Sequence, residues 1–531
     1  MHTSSSISHG LLGLLCCTTF ILSACGGDSS NTLSANGSNS ASALQPNQTD
    51  SNNAPVQIDT TCDTAAYPSP AFVQCEAQNV ARTYEANTEQ LNPAFQVRAL
   101  QQQLVNSSGM LMRSINDPSW SLPPAFGNSP ATPLCAAGMG PCVGDPFRYP
   151  GVDGPDGKRF YEQEAEVIPV VYYDQECARI SGKVWRPRST ASSTLPAIVV
   201  KNGSVQAGEQ LYWWAVQELV RAGYTVLTND PRGQGASDFS TPKGAQGGNF
   251  NGAVFYEGLV NDIDFLLSSP NKPYPHEATC KGTYPTKTNP FNPFHAVVDA
   301  ERIGLAGHSY GAGGVTWVQS YGAADSLPWP GKLTATNPVK VVVAWDALGS
   351  RSKPNAATLS SLPPFDAAEG LIRPSSAPPV SARVPAMSFT SEYGFTPVPF
   401  VRNPPRDEHL NAFKQWKESN QPVYALTIAG TTHLDYSLGY GLPASSWCPK
   451  VENNACVGGW ARPMITHYTL AWFDRFLKNS GEPGFDTADQ RLLDDAKWAE
   501  RMSFHFASAR SFSTREGQSK MTDDIRGLYS N

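Results

Sequence analysis

Charge is scarce in this chain of 531 residues: Asp, Glu, Lys and Arg together make up 16%. There is no basic excess either, since 39 Lys and Arg stand against 46 Asp and Glu, for a net charge of −7. Without a basic stripe the chain does not read as a nucleic-acid binder. No CxxC pair and no Cys/His cluster occurs, which argues against structural zinc. No apolar run reaches the length of a membrane span. The chain is also too long for a peptide or toxin, and too little charged for a disordered protein. What is abundant is Gly and Pro, 44 of each, and 12 Trp, 19 Tyr and 23 Phe. Many turns and long loops around a large aromatic core are therefore expected, with one α/β enzyme core using most of the length.

The N-terminus carries the apolar run GLLGLLCCTTFILSAC, Gly10 to Cys25, followed at once by polar sequence. It reads as an export signal, residues 1–24. Its end, Leu22-Ser23-Ala24-Cys25, resembles the bacterial lipobox, which implies cleavage before Cys25, lipidation of that residue and a membrane anchor in the cell envelope. An ordinary secreted protein cleaved nearby is the alternative. Residues 25–61 are Ser-, Asn- and Thr-rich with almost nothing apolar to bury, a tether reaching roughly 30–35 Å. Setting aside Cys16, Cys17 and Cys25, eight cysteines enter an oxidising compartment. Sequence proximity suggests the pairs 62–75, 135–142 and 448–456, leaving 177–280, although eight cysteines permit 105 pairings.

Beyond residue 165 strand-like runs alternate with amphipathic segments, the rhythm of a mostly parallel sheet covered by helices on both faces. Glu166–Tyr173 and Ile180–Trp185 form an expected antiparallel hairpin. Six short apolar runs follow as buried strands: Ala197–Val200, Tyr224–Thr228, Ile303–Ala306, Val341–Trp345, Ala386–Thr390 and Tyr424–Ala429. Helices are expected around Tyr212–Val220, Phe255–Leu267 and Ile465–Leu477. Residues 62–150 lack the rhythm and suggest a helical, disulfide-stapled cap before a catalytic domain over 151–482. The Pro-rich stretch 347–383 reads as a lid or binding loop. Residues 483–531 form an extension that either wraps the domain or frays.

The chemistry concentrates at Gly307-His308-Ser309-Tyr310-Gly311, a G-x-S-x-G run between an apolar strand and a helix-compatible segment. The two glycines let strand and helix backbones approach at a strained turn that presents the Ser309 hydroxyl as a nucleophile. A structural turn serine is the bland alternative. His308 is expected to point away from the reaction centre and to serve packing. Serine needs a base, and His433 follows the last expected strand; His409, His467 and His505 read as surface or core residues. Two carboxylates compete to orient His433: Asp346, ending one strand, and Glu392, ending the next, where many hydrolases place their acid.

These blocks together resemble the secreted platelet-activating-factor acetylhydrolase branch of the α/β-hydrolase fold: G-H-S-x-G, then Ala344-Trp345-Asp346-Ala347, Ser391-Glu392-Tyr393, and Thr427-Ile428-Ala429-Gly430-Thr431-Thr432-His433. The resemblance covers roughly residues 195–440 and implies Asp346 as the acid. It also implies an oxyanion hole from the backbone N–H groups of Tyr310 and Ser204, although Lys201-Asn202-Gly203-Ser204 stands where that family has a His-Gly pair. Thr228-Asn229-Asp230-Pro231-Arg232-Gly233-Gln234-Gly235-Ala236-Ser237, with Ser309-Tyr310-Gly311, is similar to exported serine peptidases of the X-prolyl and cocaine-esterase type, and the bland reading of the 230–237 block is a turn bracing the active-site loops. The expectation is an exported serine hydrolase of carboxylic esters, small-molecule or lipid, with catalytic Ser309, Asp346 and His433, no metal and no cofactor. A prolyl-type peptidase, whose amine pocket could use Asp366 and Glu369, and a non-catalytic hydrolase-like surface lipoprotein are the alternatives.

Overall fold

The computed structural model describes residues 58–120, 143–144, 160–188, 194–204, 208–245, 247, 251–351, 377–439, 444–446, 450–452, 455–457 and 459–529. Cys25, the cysteine pairs 135–142 and 448–456, Asp366 and Glu369, and the middle of the Pro-rich stretch lie outside the described residues or their described side chains.

Ten strands form one mixed sheet. In chain order they are β1 Ala165–Tyr173, β2 Arg179–Pro187, β3 Leu195–Lys201, β4 Thr225–Asn229, β5 Val298–His308, β6 Val339–Trp345, β7 Ala386–Ser391 and β8 Val423–Ile428. A separate two-stranded hairpin, β9 Lys450–Glu452 and β10 Ala455–Val457, is followed by β11 Ala509–Ser513 and β12 Ser519–Thr522. The order across the sheet is β1-β2-β4-β3-β5-β6-β7-β8-β11-β12. The block β4-β3-β5-β6-β7-β8 is parallel, and the strands flanking it on each side are antiparallel.

Every residue of β3, β4, β7 and β8 is buried. Their side chains alternate between two cores. Ile198, Val200, Val226, Ala306, Val343 and Trp345 face one layer, and Ala197, Val199, Leu227, Leu305, Val342 and Ala344 the other. The period of two along a strand makes this division automatic once both faces are covered. Helices α3 Trp213–Arg221 and α7 Ala461–Leu477 cover the first face; α4 Ala253–Leu267, α5 Tyr310–Ser320 and α6 Asn411–Glu418 cover the second. The architecture is α/β. Burying a Lys at the end of β3 needs a partner: Lys201 Nζ meets Asp262 of α4 at 2.8 Å, and Tyr172 donates to the other oxygen of Asp262. Removing Lys201 alone would strand a buried carboxylate, at a cost of about 3–5 kcal/mol.

Ahead of the sheet stand α1 Pro70–Glu85 and α2 Pro93–Asn116. Asn92 caps α2 through the Ala94 N–H, with Pro93 at its first position. Two disulfides match the expected pairs: Cys62–Cys75, with Cα atoms 5.9 Å apart, and Cys177–Cys280, 5.2 Å apart. The residues beyond 482 extend the sheet past β8 through β11 and β12.

Candidate active site

Five chain segments leave the carboxyl ends of the neighbouring parallel strands β3, β5, β6, β7 and β8 and meet there, the usual place for a site in such a sheet. Ser309 follows β5 directly, with φ 58° and ψ −124°, and opens α5. A non-glycine residue held in that region is strained, and the surroundings enforce it. Its N–H donates to the Trp345 carbonyl (3.1 Å), and its carbonyl accepts the first helical bond, from Gly313 (3.1 Å). A Cβ on Gly307 would strike the Gly311 carbonyl, and one on Gly311 the Lys201 carbonyl. The G-x-S-x-G spacing thus lets the strand, turn and helix close on each other and on β3.

Asp346 follows β6 with φ 55°. It is buried, and its N–H donates to the Phe389 carbonyl (2.9 Å). Oδ1 accepts the Ser391 N–H (2.7 Å); Oδ2 accepts the Ser391 hydroxyl (2.8 Å) and lies 2.6 Å from His433 Nδ1. Burial pushes this carboxyl up, but His433 and the two Ser391 donors outweigh it and hold it below the ordinary value. An ionised carboxylate only accepts, so Nδ1 carries the proton and Nε2 is the basic nitrogen.

His433 begins a single 3-10 turn after β8. Thr432 caps that turn through a capping box closed by Asp435. Asp435 is itself held by the Ser445 hydroxyl (2.7 Å) and the Ser446 N–H (2.5 Å), and burial pushes its carboxyl up to about 6. The His433 N–H donates to the Gly394 carbonyl (2.6 Å). Phe395, 42% exposed, lies over the imidazole with ring centroids 4.2 Å apart and gives the approach an apolar wall.

Glu392 is engaged elsewhere. Its carboxylate accepts from Asn79 of α1 (2.9 Å), the Gly430 N–H (2.6 Å) and the Ser503 hydroxyl (2.5 Å), and burial pushes its carboxyl up. The structure therefore brings Asp346, and not Glu392, to His433.

The loop after β3 abuts the nucleophile: a Cβ on Gly203 would sit 2.9 Å from Ser309 Cβ. Gln234 donates to the Gly203 carbonyl (2.9 Å), which turns the N–H of the same peptide, that of Ser204, to the opposite side. The bracing reading of the 230–237 block is what this bond describes. Tyr310, whose N–H opens α5, is buried with its ring stacked on Phe255 at 5.1 Å.

The expectation that His308 points away is corrected. Its ring is buried beside His433, centroids 4.5 Å apart, because the turn at Ser309 interrupts the strand's alternation and lets neighbouring side chains share one region. His409 and His505 are buried and His467 is half-buried. Sequence reasoning missed Ser391, Tyr212 and Phe395. Ser391 stood at a strand end and in the Ser391-Glu392-Tyr393 block, without a role assigned to it.

Among the described residues no cluster of His, Cys, Asp or Glu is arranged to hold a metal ion. No protein-family model and no curated protein matches the chain.

Proposed function

We propose that the chain is an exported serine hydrolase of carboxylic esters, built on an α/β-hydrolase fold of the kind its motifs resemble. The observation that carries the reading is the Asp346–His433 bond set at the strand ends beside a strained Ser309. The order of the parallel strands supports the fold, and the apolar wall at Phe395 suits an uncharged ester. In this reading Ser309 Oγ attacks the ester carbonyl as His433 Nε2 takes its proton, and Asp346 stabilises the imidazolium. The N–H groups of Tyr310 and Ser204 receive the oxyanion. The alcohol leaves with the proton from His433, and water, deprotonated by the same nitrogen, releases the acid from Ser309.

A fluorophosphonate probe should label the wild type and not Ser309→Ala, and p-nitrophenyl esters should turn over faster than aminoacyl or prolyl amides. Labelling that persists in Ser309→Ala removes the nucleophile. Faster amide cleavage makes the chain a prolyl-type peptidase, and absence of both labelling and turnover makes it a non-catalytic surface protein.

A further inference from the structure

The motif histidine is a polar side chain of the nucleophile turn that this reaction leaves unused, and it makes two of the hydrogen bonds in a series of three. The Gly203 N–H donates to the Tyr212 hydroxyl oxygen (2.8 Å), that oxygen lies 2.9 Å from His308 Nδ1, and His308 Nε2 lies 2.8 Å from the main-chain carbonyl oxygen of His433. Proton placement is forced from one end. A carbonyl only accepts, so Nε2 carries the hydrogen. Burial and the neighbouring His433 hold the His308 ring well below the ordinary histidine value, so it is neutral and its Nδ1 is bare. Nδ1 then accepts the Tyr212 hydroxyl hydrogen, and the Tyr212 oxygen is left to accept from Gly203. No donor faces a donor anywhere in the series.

The groups facing the His308 ring are Tyr212, Tyr436 at a centroid distance of 5.9 Å, His433, and Asp346 behind it. One end of the series is the residue before Ser204, whose carbonyl Gln234 pins from the other side. The other end is the backbone of the proposed base. The loop after β3 and the loop after β8 belong to strands separated by three others in the sheet, and this relay joins them directly.

Resting on the ester-hydrolase reading, we infer that Tyr212 and His308 are positioning residues: a neutral relay that holds the oxyanion loop and the catalytic histidine in one register. The state of His308 is tested first, independently of activity, by ¹⁵N-histidine spectra of the full chain. One protonated Nε2 and one bare Nδ1, unchanged from about pH 5 to 8, are expected. An Nδ1–H tautomer or a titrating ring overturns the relay whether or not esters are hydrolysed. If the relay is seen and the wild type hydrolyses no ester, the hydrogen-bond assignment is upheld and the hydrolase reading falls.

Kinetics test the positioning. Tyr212→Phe keeps the ring in the core and removes only the hydroxyl. Since a misplacement of about 1 Å can lose about 10²-fold, kcat on a short-chain ester should fall by about tenfold to 10²-fold. KM should stay within about twofold, because the loss is confined to the transition state. His308→Gln retains an N–H able to reach the His433 carbonyl, and should recover most of the kcat that His308→Leu loses. Wild-type kcat in Tyr212→Phe, or equal losses in folded His308→Gln and His308→Leu, overturns the positioning role.

Discussion

Asp346 is buried and accepts three hydrogen bonds, and its behaviour should follow from that count. Replacing it by asparagine turns an amide N–H₂ toward donors and lets His433 adopt the wrong tautomer, a change worth about 10⁴ in kcat in a site of this kind. Asp346→Asn should therefore remain folded by circular dichroism while losing about that much activity on a short-chain ester. Ser391→Ala removes one hydroxyl donor from an ionised acceptor, worth about 1.5–3 kcal/mol, so kcat should fall by roughly ten- to 10²-fold. The pH sign follows from the lowered carboxyl. Its stabilisation is complete above the ordinary carboxylate value of about 3.9 and is lost only as pH falls through the lower folded value. An activity limb above about pH 5 must then come from another group. The sequence carried Ser309 and His433 through their strand contexts, but the strand pattern left Asp346 and Glu392 in competition and only the family resemblance favoured Asp346. The competition could not end there, because what separates them is Asn79, 313 residues away from Glu392 in the chain. Tyr212 was illegible because an isolated Tyr has no spacing signature, and Ser391 stood inside a resemblance block that assigned it no role.

Glu392 ties three elements together: α1 through Asn79, the loop after β8 through the Gly430 N–H, and the segment before β11 through Ser503. Next to it Glu76 of α1 accepts from Tyr393 (3.2 Å) and the Phe400 N–H (2.8 Å), and meets His505. Helix α1, stapled by Cys62–Cys75, is clamped onto the loops after β7 and β8, the second of which carries His433. Glu392→Gln sets an amide N–H₂ against at least one buried donor and should destabilise the fold by about 1–3 kcal/mol, read as a lower denaturation midpoint. Its kcat should fall far less than that of Asp346→Asn. If Glu392→Gln is the folded, inactive variant, the assignment of the acid is reversed. The strands β3 to β8 were legible because residues buried on both faces read as continuous apolar runs. By contrast β11, Ala-Arg-Ser-Phe-Ser, and β12, Ser-Lys-Met-Thr, carry too few apolar residues, and β12 is half-exposed at an edge. Only the sheet they join makes them strands.

For the whole molecule, the proposed anchor precedes α1, so the clamp on the site and the attachment to a membrane would share one N-terminal segment. Globomycin should cause the unprocessed precursor to accumulate, and Cys25→Ser should abolish lipid labelling; a wild-type protein that carries no lipid would defeat the anchor. The described residues begin and end in contact. The Ile58 N–H donates to the Tyr529 carbonyl (3.3 Å), and Arg526 grips the Asp63 carboxylate (2.8 and 2.7 Å) and the Asp59 carbonyl (3.0 Å). Topologically the folded polypeptide is almost a ring. A short linker between residues 58 and 529 would close it, leaving the backbone free to be reopened at an exposed turn such as that at Gly517, a circular permutation with the same neighbours in space. A passenger joined just after residue 529 would likewise start beside the point where residue 58 begins the fold.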